Sequence, residues 1–168
     1  LMLSGETASG KYPLEAVRTM VAIAEQAEQD KIHENDIEIP LCGLDDVTGF
    51  LSKNAIEATE HLGVKCIITD TATGKTSRNL SAFRGPNPVI ALCSNDKIHR
   101  LLSLSYGVIP FSEYRDLSSQ ELYVEAVRLL LQKKYVTLED KVAYLSGSLG
   151  QGGGNTFLEI NKVKDVIG

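Results

Sequence analysis

Cysteine and histidine are scarce in this 168-residue chain, and it has neither a basic stripe nor a long apolar run. Its three cysteines, Cys42, Cys66 and Cys93, form no CxxC pair and are too few for a disulfide framework. Cys66 and Cys93 lie within apolar runs, which suits buried free thiols in a reducing cytoplasm. The three histidines, His33, His61 and His99, are scattered without metal-ligand spacing, so no metal site is expected from them. No apolar segment approaches the length of a membrane span and no signal-like N-terminus is present, so no membrane partner is expected. A net charge of −5 without a basic stripe argues against a nucleic-acid surface, which needs Lys and Arg to neutralise phosphates. The chain opens at Leu1, not Met, which reads as a piece of something longer.

What is present suits a globular chain: 43% hydrophobic residues, 23% charged, and length enough for one domain or a domain with an appendage. Pro13 is placed for the first turn of a helix, and Ala16, Val17, Met20, Val21, Ile23 and Ala24 recur behind it at helical spacing. Residues 30–44 are polar, carry no periodicity and break at Pro40 and Gly43, as a connector would. A second helix is predicted from Asp45 or Asp46 as cap to Gly63, with Val47, Phe50, Leu51, Ala55, Ala58 and Leu62 along its inner side. Strands follow at 64–69, 89–93, 108–111, 142–145 and 156–160. Helices are expected between the first four, one burying Leu80 and Phe83, one over 96–106, and one opened by the capping box Ser118-Ser119-Gln120-Glu121. The β-α-β order makes the early strands parallel, and the last two, joined directly by a loop, should pair antiparallel at one edge. The fold class is therefore α/β: a three-layer αβα domain on a mostly parallel five-stranded sheet, preceded by a separate helix.

Cys66 to Arg78, CIITDTATGKTSR, is the stretch most suited to a ligand. An apolar strand feeds a turn-rich segment, Asp70 to Gly74, and Lys75-Thr76-Ser77-Arg78 then opens a helix. Such a passage presents backbone N–H groups, hydroxyls and the positive end of a helix dipole, which is an anion site and most naturally a phosphate site. The alternative is that Thr71 and Thr73 are ordinary turn and capping residues, with Lys75 and Arg78 solvated.

The run MLSGETASGKYPLEAVRTM, Met2 to Met20, resembles the signature that follows the last barrel strand of pyruvate kinases. Ser52-Lys53-Asn54-Ala55, the TGKTSR loop, Tyr106-Gly107-Val108-Ile109-Pro110 and the glycine-rich loop from Ser146 to Gly154 have counterparts in the C-terminal domain of that family. The resemblance implies a remnant of the (β/α)8 barrel at 1–29, a connector at 30–44 and a C-terminal allosteric and oligomerisation domain at 45–168. It implies a cytoplasmic glycolytic parent that transfers a phosphoryl group from phosphoenolpyruvate to ADP with Mg²⁺ and K⁺, and that assembles as a homotetramer. The family's catalytic Lys, metal-binding Glu and Asp and barrel Thr would precede Leu1, so no catalytic residue, metal or cofactor is assigned to this chain and no turnover is expected from it alone. Many members hold a phosphorylated sugar in this domain, commonly fructose 1,6-bisphosphate. By position, Thr71, Thr73, Gly74, Lys75 and Thr76 would cradle a phosphate, and the loop with Gly147, Ser148, Gly150, Gly152, Gly153 and Gly154 would close over the effector. Members of the eukaryotic type use a Trp and an Arg toward a second phosphate. This chain has no Trp, its Ser146 to Gly154 loop has no Arg or Lys, Ala72 stands where some members have a hydroxyl, and Arg84-Gly85-Pro86 departs from the usual Arg-Pro. A sugar monophosphate, or no effector at all, therefore stands beside a bisphosphate.

Two other readings remain. Gly74-Lys75-Thr76 is half of a Walker motif, but the position that needs the earlier glycine is Thr69, and the next strand ends in Cys93-Ser94 with no acid to hold Mg²⁺. Gly150, Gly152 and Gly153 approach a dinucleotide fingerprint, but they lie between strands instead of at a strand-to-helix turn. Against both the effector and the nucleotide readings stands a purely structural domain that mediates self-association and binds nothing.

Overall fold

The computed structural model describes residues 1–32, 46–111, 117–146 and 157–168. The chain divides into two compact units, Leu1–Ile37 and Glu38–Gly168. In the first, a single turn, α1 (Gly5–Ala8), precedes α2 (Pro13–Ile32). The Ser4 carbonyl accepts both the Thr7 N–H at 3.1 Å and the Thr7 hydroxyl at 3.0 Å, so Ser4 and Thr7 close this turn. Pro13 opens α2, where a missing N–H costs nothing. Leu14, Val17 and Val21 form an exposed apolar stripe on it.

The second unit begins with α3 (Val47–His61), whose cap is Asp46: its carboxylate accepts the Gly49 N–H at 2.9 Å. The order then runs β1 (Val64–Thr71), α4 (Lys75–Ala82), β2 (Val89–Cys93), α5 (Asp96–Leu102), β3 (Val108–Phe111), α6 (Ser119–Gln132), β4 (Lys141–Ser146), β5 (Phe157–Lys162) and α7 (Val163–Ile167). The five strands form one sheet in the order β3-β2-β1-β4-β5. β1, β2, β3 and β4 are mutually parallel where they pair, and β5 runs antiparallel to β4, as the direct connection requires.

Strand alternation divides the core between the two faces. Ile67, Val89, Ala91, Val108, Ala143 and Leu145 pack with Ala55 and Ile56 of α3, Leu80 of α4 and Leu102 of α5. On the other face Cys66, Ile68, Ile90, Leu92, Val142 and Tyr144 pack with Tyr123, Ala126, Val127 and Leu130 of α6 and Val163 of α7. The three-layer αβα architecture follows, with its switch point between β1 and β4: the chain leaves β1 toward β2 and β3, then crosses under α6 to the opposite side of β1.

Several local expectations differ from what is observed. β1 continues through Thr71, because its pairing with β2 extends to Thr71 opposite Cys93, so Asp70 and Thr71 end a strand instead of starting a turn. Val47, Phe50 and Leu62 are exposed, and the buried side of α3 includes Gly49, Ser52 and Thr59. α5 stops at Leu102, with Leu101 exposed. α6 buries Tyr123, which apolar periodicity passed over, and α7 was not anticipated.

Candidate functional site

The turn between β1 and α4 stands at the carboxyl end of β1, beside the switch point, where open α/β sheets place their ligands. Thr71 is buried, and its hydroxyl accepts the Gly74 N–H at 2.8 Å, folding the turn back on the strand end. Thr73 is exposed and its hydroxyl accepts the Lys75 N–H at 3.4 Å. Gly74 is the N-cap of α4 with φ 78°, left-handed backbone that a side chain would strain. A Cβ there would stand 2.8 Å from Arg78 Nη1 and 3.3 Å from Leu102 Cδ2. Lys75 is exposed on the first turn of α4, Thr76 and Ser77 are buried, and Leu80 fixes the helix against the sheet. The five residues Thr71, Thr73, Gly74, Lys75 and Thr76 therefore occupy one turn. Gly147, Ser148, Gly150, Gly152, Gly153 and Gly154 lie outside the described residues.

Arg78 is exposed and reaches back to this turn: its Nη1 donates to the Thr73 carbonyl at 3.3 Å. Its i,i+3 spacing from Lys75 is the signal that could have placed it there, since such residues share a helix side. Two cations thus border the turn while its Thr71 and Thr73 hydroxyls already hold two backbone N–H groups.

On the α6 face of the same strand end lies a polar group that the sequence did not single out. The β1–β4 register pairs Ile68 with Tyr144, and two residues further along each strand stand Asp70 and Ser146. Ser119, at the start of α6, donates its hydroxyl to Asp70 Oδ2 at 3.3 Å, and its carbonyl accepts the Tyr144 hydroxyl at 2.9 Å. The Tyr144 ring stacks on Tyr123 with centroids 4.4 Å apart. Burial, above all, pushes the Tyr144 phenol up to about 12, and the charge of Asp70 adds to the rise. The Ser146 hydroxyl is fully buried beside that phenol, and Asp70 Oδ1 is buried without a hydrogen-bond partner among the described residues. Ser77 Oγ, on α4, is likewise buried without a partner among them.

Two surface clefts lie elsewhere. One of about 580 Å³ runs along Leu117, Gln120, Val124 and Arg128, and one of about 400 Å³ lies between Leu62, Lys141 and Lys162; no residue of the Thr71–Thr76 turn lines either. Among the described residues no group of three or more His, Cys, Asp or Glu could hold a metal ion, and no helix is long and apolar enough to cross a membrane.

Comparison with known proteins decides the family. The family model described as the pyruvate kinase alpha/beta domain matches residues 50–160, which take in β1 to β4, most of β5, the β1–α4 turn and α6. The chain belongs to the pyruvate kinase family. It is 32% identical over 168 residues to a pyruvate kinase of Bacillus licheniformis, with 99% of this chain and 29% of the relative covered. It is 33% identical over 175 residues to that of Borreliella burgdorferi, covering 99% of this chain and 36% of the relative. The fold superposes on Cryptosporidium parvum pyruvate kinase, a complex with ADP, with a TM-score of 0.76 at 26% identity, covering 96% of this chain and 33% of that one. The chain thus spans about a third of the length of these pyruvate kinases.

Proposed function

We propose that this chain is the C-terminal regulatory portion of a cytoplasmic pyruvate kinase, and that its own role is to bind a phosphorylated effector and to support self-association. In this reading residues 1–29 are the end of the catalytic barrel, 30–44 a connector and 45–168 the regulatory domain. The parent transfers a phosphoryl group from phosphoenolpyruvate to ADP. Mg²⁺ and K⁺ serve that reaction in the parent, and no step is assigned to them in this chain.

The observation that carries the effector role is the turn from Thr71 to Thr76, where Lys75 and Arg78 border a helix N-terminus at the carboxyl end of β1. A phosphoryl group there would gain charge-assisted hydrogen bonds, each worth roughly 1.5 to 3 kcal/mol. The glycine-rich loop with Gly147, Ser148, Gly150, Gly152, Gly153 and Gly154 follows β4, the neighbour of β1, and is assigned the closing role. A sugar phosphate should raise the melting temperature of the chain, and Lys75→Ala or Thr76→Ala should reduce that rise. No turnover is expected when the chain alone is given phosphoenolpyruvate, ADP and Mg²⁺.

One observation favours a second reading, a self-association domain without a ligand: the Thr71 and Thr73 hydroxyls are already engaged by Gly74 and Lys75 N–H groups, as in an ordinary turn. A flat melting temperature across sugar mono- and bisphosphates, together with an oligomer by light scattering, would select it.

A further inference from the structure

We draw no further inference here: the strongest candidate, the cleft of about 580 Å³ along Leu117, Gln120, Val124 and Arg128 on the outer side of α6, carries nothing, because Glu125 is already paired with Arg128 and Glu121 with Ser118, and nothing in the structure shows what covers its apolar floor.

Discussion

Gly74 couples the backbone of the candidate site to its charge. Its φ of 78° is tolerated because no Cβ is present, and the space a Cβ would occupy holds the Arg78 guanidinium on one side and Leu102 of the core on the other. Gly74→Ala should therefore cost about 1–2 kcal/mol for the left-handed backbone, and more for displacing Arg78 and Leu102. Gly107 supplies the internal control: its φ is 65°, but a Cβ there would meet nothing within 4 Å. Gly107→Ala should show the backbone cost alone. Urea midpoints of the two variants measure the difference, and equal losses would mean that Arg78 and Leu102 yield freely to a methyl group.

Among the elements, α6 was the most legible in the sequence, and its cap explains why. The capping box needs only Ser118 and Glu121 at their fixed spacing, and both reciprocal bonds are present, Glu121 N–H to Ser118 Oγ at 3.3 Å and Ser118 N–H to Glu121 Oε2 at 2.8 Å. Ser118→Ala should cost about 1 kcal/mol, read by chemical denaturation. It should also raise the Glu121 carboxyl, which the Ser118 side-chain and backbone hydrogen bonds hold below its ordinary value. α3 was less legible because small polar residues can be buried when they serve themselves. Ser52 Oγ donates to the Thr48 carbonyl and Thr59 Oγ1 to the Ile56 carbonyl, each at 2.7 Å, so both hydroxyls sit inside without an outside partner, while Val47 and Phe50 face out. The candidate site divides in the same way. Gly74-Lys75-Thr76 is contiguous and could be read locally. Asp70 and Ser146 meet only through the β1–β4 register, and Ser119 joins them from residues far along the chain, so no local pattern carried that group.

At the scale of the molecule, the two faces of the sheet make stability depend on pH mainly on the alkaline side. Burial pushes Cys93 from 9.0 up to about 11 and Cys66 from 9.0 up to about 12. It likewise pushes Tyr144 from 10.0 up to about 12, and raises its stacking partner Tyr123. Each of these groups holds its proton more tightly folded than unfolded, so above its unfolded value unfolding releases a proton and is favoured by rising pH. The stability they contribute is fully present below pH 9.0, the unfolded value of the thiols, and is lost progressively as pH rises through the folded values near 11 and 12. On the acid side Glu121 and Glu139 are held low by Ser118 and by Lys164 with Lys162, but both are exposed, so their loss on protonation should be shallow. The urea midpoint should thus be nearly level through neutral pH and fall steeply above pH 10.0, where the tyrosines join the thiols. Far-UV circular dichroism is the suitable probe, because the chain has six tyrosines and no tryptophan, and tyrosine emission would itself change with ionisation. Tyr144→Phe separates the contributions: it removes one titrating group while keeping a ring to stack on Tyr123, so the fall above pH 10.0 should become shallower as the thiol-dependent onset near pH 9.0 stays in place. An unchanged slope in that variant would mean that the Tyr144 phenol is not held neutral by burial between α6 and the sheet.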